Sequence, residues 1–198
     1  MAMPEPRPHA GSPPSAEDVE IEECLRAGDK RRALIHMMDR YGDAVLRYAF
    51  SMSYDAQIAD EVRQQVFVEA YRDLDRFAGR STLQTWLFGI TRHRCLDAAK
   101  ARSRWNNRFK NEPGDEPVAD NDPASEIDRG RMASLLARCL DKLAPAAREA
   151  VLLRYQQEMS YEQAAAVTRE QAGTLQQRVA RAMPVLRKCV EARLGGTP

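Results

Sequence analysis

No apolar stretch in these 198 residues approaches the ~18 that a bilayer-crossing helix needs. The first fifteen residues, MAMPEPRPHAGSPPS, lack the apolar core of a secretory signal. Both absences lead to the expectation of a cytoplasmic chain with no membrane insertion. Alternating β-branched runs and Asn-Gly hairpins are missing, so strands are not expected. There is no Walker loop, GxGxxG, HExxH or GxSxG, and no nucleophile stands at a meaningful spacing from a base. Neither an enzyme nor a cofactor is therefore expected. The four cysteines, Cys24, Cys95, Cys139 and Cys189, form no CxxC pair. In a cytosolic chain they are expected to be reduced thiols, several of them packed between helices. His93 and Cys95, two residues apart, point to different sides of a helix, so no metal site is predicted.

What is present is helical periodicity and unevenly placed charge. Net charge is only +1. Yet residues 85–110 carry seven basic side chains against the single acid Asp97, and residues 111–128 carry seven acids and no base. Apolar residues recur at helical spacing through Ala59, Val62, Val66, Phe67, Ala70, Tyr71 and Leu74, leaving Asp60, Glu61, Gln64 and Gln65 on a polar face. Earlier helices are expected over 15–27, ended near Gly28, and as a pair over 30–52, with Gly42 as the break between them. Phe77–Arg80 interrupts the pattern. Ser81 or Thr82 then caps a helix with Leu83, Trp86, Leu87 and Ile90 inside.

Residues 111–125, rich in Pro, Gly, Asp and Asn, read as a flexible acidic linker. Beyond it, Met132, Leu135, Leu136, Cys139, Leu140 and Leu143 form a stripe, and Pro145 suits the first turn of the next helix. Ser160-Tyr-Glu-Gln163 is a capping box that opens a short helix over 161–167. After a turn near Thr168–Gln171, a long helix extends to about Arg193. It buries Ala172, Leu175, Val179, Met183, Leu186 and Val190, and turns Thr174, Gln177, Arg181 and Lys188 outward with Arg178 beside them. A short helix, a tight turn and a longer helix with a polar, basic face make a helix-turn-helix. The expected architecture is all-α. It comprises a tail (1–15), a four-helix domain (16–110), the linker (111–125) and a helix-turn-helix domain (126–194).

Two ordered sets of motifs flank the linker. The first holds Glu61-Val-Arg-Gln-Gln-Val-Phe67, Leu74-Asp-Arg-Phe77, Thr85-Trp-Leu-Phe-Gly-Ile90 and Arg92-His-Arg-Cys-Leu-Asp97. The second holds Leu143-Ala-Pro145, Arg148-Glu149, Leu153-Arg-Tyr155, Met159-Ser-Tyr-Glu162 and Gly173-Thr174 with Arg178 and Arg181. Together they resemble the extracytoplasmic-function (ECF) sigma factors of bacterial RNA polymerase. The resemblance implies a promoter-specific initiation factor whose partners are RNA polymerase core (its β′ clamp and β flap), promoter DNA and an anti-sigma protein. It assigns polymerase binding to Asp60, Glu61, Gln64 and Gln65, and minus-ten melting to the first domain. Arg92, Arg94, Lys100, Arg102 and Arg104 would hold phosphates there. Minus-thirty-five reading falls to Thr174, Gln177, Arg178, Arg181 and Lys188.

Departures from the family's pattern qualify that assignment. Thr168-Arg169-Glu170 replaces the family's Leu-Gly-Ile-like turn. If the backbone there is left-handed, Arg169 costs ~1 kcal/mol relative to glycine. Thr168-Arg-Glu-Gln171 also reads as a capping box, which would start the long helix earlier. Gln176-Gln177 removes a basic charge, Pro184 is expected to kink the long helix, and Arg63 stands where an aliphatic residue is usual. The alternative reading is a sigma-like adaptor that binds polymerase or a regulator and reads DNA poorly.

Overall fold

The computed structural model describes residues 16–108 and 127–194, so the anticipated tail and linker lie outside the described residues. All regular structure among those residues is helical. The first unit comprises α1 (Ala16–Arg26), α2 (Lys30–Ser53), α3 (Ala56–Asp73), a 3-10 turn (Leu74–Arg76) and α4 (Leu83–Arg108). Short polar side chains set the starts. Asp29 accepts from the Arg32 amide and Asp55 from the Ile58 amide, each at 3.0 Å. Thr82 Oγ1 accepts from the Thr85 amide at 3.1 Å. Each cap is worth ~1 kcal/mol. Gly28, at φ +76°, lets the chain reverse between α1 and α2. Tyr48, Phe88, Ile21, Met37, Leu87 and Val66 are buried at the centre, with the Tyr48 and Phe88 rings edge to face at 5.5 Å. Burying each such apolar side chain stabilises the fold by ~1.5–3 kcal/mol.

The second unit comprises α5 (Ile127–Asp141), α6 (Pro145–Val151), a π-helical segment (Leu152–Gln156), α7 (Tyr161–Thr168) and α8 (Ala172–Leu194). Pro145 occupies the first turn of α6. The capping box of α7 is complete: Gln163 N–H donates to Ser160 Oγ at 3.1 Å and Ser160 N–H to Gln163 Oε1 at 2.8 Å. Leu153, Met159, Leu175, Val179 and Leu186 fill the core beneath α8.

Several expectations are corrected here. Gly42 does not break α2. It is a buried residue within one continuous helix, where a side chain's absence does not stop the backbone ladder. Residues 168–171 form no capping box. Thr168 is the buried last residue of α7, its hydroxyl donating to the Ala164 carbonyl at 3.0 Å, and the next helix starts at Ala172 and no earlier. Met132 and Leu136 are exposed, so the α5 stripe is apolar beyond the part that packs. The four-thiol expectation also fails. Cys139 and Cys189 form a disulfide that ties α5 to α8, with Cα atoms 5.8 Å apart, while Cys24 and Cys95 are free. Spacing of 50 residues gave no sign of it, because helix pairing brings the two together.

The two units touch. α4 packs against α7, and the π-helical segment against α2.

Candidate nucleic-acid and polymerase interfaces

On α3 the apolar stripe points inward, with Ala59, Val62, Val66, Phe67 and Ala70 buried. That orientation leaves Glu61, Gln64 and Gln65 exposed on one face and Asp60 half-exposed beside them. Arg63 takes up Asp60 at 2.6 Å and Gln64 donates to the same carboxylate at 2.7 Å. These hydrogen bonds hold the Asp60 carboxyl below its usual range. Gln57 donates to Glu61 at 3.0 Å. Between this face and α4 runs an open groove of about 530 Å³, lined in part by Ile58, Glu61, Gln65, Ala101 and Arg104.

A second groove, about 540 Å³, lies between α1 and the 3-10 turn, with Leu25, Lys30, Asp75, Phe77 and Gly79 on its walls. Lys30 pairs with Asp75 at 2.6 Å and sits 5.2 Å from the Tyr71 ring centre. Phe77 packs against Trp86, ring centres 5.4 Å apart, and Trp86 is partly buried against the core as its stripe position implies.

The α4 cations are not equivalent. Lys100 and Arg104 are exposed and have no ion pair among the described residues. Arg102 lies 3.7 Å from Asp55. Arg94 pairs with Glu69, and more distantly with Asp97 at 3.7 Å. Arg92 is turned toward the second unit, where Glu149 takes it up at 2.7 Å. Glu149 also accepts from the Tyr48 hydroxyl at 3.2 Å. Burial, with Glu149 adding to it, raises the Tyr48 hydroxyl well above its ordinary range and pushes the Cys95 thiol up to about 12. Cys95 is therefore a packing residue and not a reactive thiolate. The contacts of Glu149 with Arg92 and Tyr48 could not be read from the sequence, since 57 and 101 positions separate the partners.

In the second unit, Arg169 closes α7 in the left-handed region at φ 59°, with its N–H donating to the Ala165 carbonyl. This is the conformation in which an arginine costs ~1 kcal/mol relative to glycine. The turn keeps its shape because the Ala165 carbonyl also accepts from the Glu170 amide at 3.3 Å. α8 then presents Thr174, Gln177, Arg181 and Lys188 to solvent. Arg178 is half-buried and paired with Glu170 at 2.6 Å, which holds the Glu170 carboxyl below its usual range.

Two helical units, one with a polar face on α3 beside the cationic α4 and the other a helix-turn-helix, define the architecture of a DNA-binding transcription factor. The comparisons agree. Residues 37–105 match the family model Sigma-70 region 2, and residues 133–183 match Sigma-70, region 4. The chain is 32% identical over 156 residues to the ECF RNA polymerase sigma factor SigC of Mycobacterium tuberculosis, which covers 78% of this chain and 82% of that one. It is 28% identical over 193 residues to the RNA polymerase sigma-H factor of Pseudomonas aeruginosa, covering 90% and 96%. The solved structure of CnrH in complex with the cytosolic domain of CnrY aligns at TM-score 0.64 and 26% identity, over 90% of this chain and 99% of that one. The sigma factor RpoE of Bartonella quintana, in complex with the anti-sigma factor NepR, shares the fold at TM-score 0.64 and 24% identity, over 78% and 94%.

The chain belongs to the ECF sigma factors, and it directs transcription initiation by RNA polymerase. That family is not a class of enzymes. Among the described residues no helix is long and apolar enough to cross a membrane, and no cluster of three or more His, Cys, Asp or Glu residues is arranged to hold a metal.

Proposed function

We propose that the two units divide the work of initiation in the cytoplasm. The first docks on the β′ clamp through Asp60, Glu61, Gln64 and Gln65, and opens the minus-ten element. Lys100, Arg102 and Arg104 hold the strand backbone, with Arg92 and Arg94 joining them once released from Glu149 and Glu69. The groove beside Phe77 receives an unstacked base, which needs an aromatic wall and a nearby cation. The second unit contacts the β flap and reads the minus-thirty-five element through α8. Gln177 is suited to adenine and Arg181 to guanine or phosphate. An anti-sigma protein regulates the chain, as CnrY and NepR pair with the sigma factors in the two solved complexes.

One observation carries the reading of promoter DNA. A capped α7 and an intact turn leave Thr174, Gln177 and Arg181 together on the free face of α8. Transcription in vitro with core polymerase and a genomic promoter library tests it. Discrete starts sharing two upstream elements are expected, and Arg181→Ala should weaken promoter binding by about 1–3 kcal/mol. Polymerase capture without specific starts, repeated with polymerase from the same source, would replace this reading with the adaptor.

A further inference from the structure

Cys139 and Cys189 join α5 to α8, and the bond sits where each helix is otherwise weakly held. Among the described side chains of α5, only Cys139 and Leu140 are buried, while Met132 and Leu136 face solvent. Leu135 packs in part against the core. Arg148 reaches Asp141 at 3.2 Å, and Tyr54 donates to the Ala137 carbonyl at 3.2 Å. A helix of 15 residues with so small a buried face is marginal by itself in water. α8 has a weak point of its own. Pro184 lies within it and has no N–H, so the Ala180 carbonyl lacks its donor from the next turn. Beyond Pro184, Leu186 alone is buried among the described residues. The bond thus fastens α5 to the part of α8 that the proline separates from Thr174, Gln177 and Arg181.

The two cysteines are not equally accessible. Cys139 is fully buried and Cys189 is partly exposed, so a small thiol reaches the bond at Cys189. Its thiolate attacks the Cys189 sulfur, the S–S bond breaks, and the Cys139 sulfur leaves with the electron pair and takes a proton. A second thiol then attacks the mixed disulfide, releases Cys189 to be protonated, and completes the reductant's own disulfide. Two electrons and two protons pass to the protein. Exchange with an oxidised small-molecule disulfide runs the same steps backwards. The proposed function puts the chain in the cytoplasm, where thiols are kept reduced and the bonds that do form are mostly transient or redox-sensing.

We propose that the Cys139–Cys189 pair is a redox switch that sets how firmly the helix-turn-helix unit grips DNA. Oxidised, the bond braces the end of α8 through α5 and keeps Lys188 in line with Arg181, about two turns earlier on the same face. Reduced by a cytosolic thiol, α5 and the end of α8 loosen, and DNA loses the Lys188 contact. The proposal rests on the assignment of α8 to DNA.

The test uses the full chain, equilibrated in mixtures of reduced and oxidised glutathione that span the cytosolic poise. Alkylation and mass spectrometry measure the bonded fraction of the pair. Hydrogen exchange is followed along α5 and α8. Fluorescence anisotropy gives the affinity for a labelled duplex of arbitrary sequence, about 30 base pairs long, at low salt, where phosphate contacts dominate. The bonded fraction should pass through its midpoint inside that range. Reduction should speed exchange in α5 and in residues 185–194 about 10-fold, leaving α7 and residues 172–181 unchanged. Duplex binding should weaken about threefold, with a salt dependence shallower by about one counterion. Cys189→Ser without reductant should match the reduced chain and no longer respond to glutathione, which excludes Cys24 and Cys95 as the source. The wild-type titration carries the test if C189S misfolds. A pair that stays bonded, or stays reduced, across the whole range overturns the switch. Reduction without faster exchange overturns the brace. Faster exchange with unchanged duplex binding overturns the link to DNA, and Arg181→Ala and Lys188→Ala then show which part fails. If both leave affinity unchanged, α8 is removed from the DNA surface. If either weakens binding, that assignment stands and the switch alone falls.

Discussion

Arg169 is where this chain carries backbone strain that its sequence announces. At φ 59° an L-residue with a side chain is disfavoured, and the Arg169 side chain is exposed with no ion pair among the described residues to offset that cost. Arg169→Gly is therefore expected to stabilise the protein by about 0.5–1 kcal/mol, read from urea unfolding. A loss of stability would show that the arginine makes a compensating contact or that the turn is not left-handed in solution. The identity of this residue was evident as an oddity from the sequence, but its conformation was not, because Thr168-Arg-Glu-Gln171 equally satisfies the pattern of a capping box. Packing decided the matter: α7 continues through the buried Thr168, whose hydroxyl donates to the Ala164 carbonyl, and α8 begins only at Ala172.

At the scale of elements, helix positions follow from apolar spacing and short polar caps, so α3, α4, α7 and α8 stand close to where periodicity places them. What periodicity does not carry is which helices become neighbours. The α5–α8 disulfide is the plainest case. Closing a loop of 50 residues removes about 4 kcal/mol of chain entropy from the unfolded state. Full reduction is expected to lower the unfolding free energy by about 2–4 kcal/mol, measured with and without a phosphine reductant. A titration finding four free thiols before reduction would show the pair unbonded. In a reducing cytosol such a bond is uncommon, so the same titration on freshly lysed cells would report the pair's state at work.

At the scale of the molecule, two helical units meet across a seam that hydrogen bonds and the Arg92–Glu149 ion pair cross. The proposed docking residues Glu61, Gln64 and Gln65 are exposed, and the apolar residues packed around Tyr48 and Phe88 come from α1–α4. A chain ending after Lys110 should still capture core polymerase in a pull-down. Loss of capture by a fragment that circular dichroism shows to be helical would refute the division of labour.

The all-α class, the helix-turn-helix, the polar face of α3 and the basic character of α4 are all determined locally, by which residues recur at 3.6-residue spacing and which cap them. A single sequence suffices for such features because each depends on neighbours within about two turns. Tertiary structure alone decided which arginines are free. Arg104 and Arg181 remain open to solvent, while Arg92 and Arg178, indistinguishable from them by residue type, are held by Glu149 and Glu170. The reason is physical. An ion pair forms wherever packing brings opposite charges within a few ångströms: Glu149 of α6 meets Arg92 of α4 across 57 positions, and the turn between α7 and α8 sets Glu170 against Arg178.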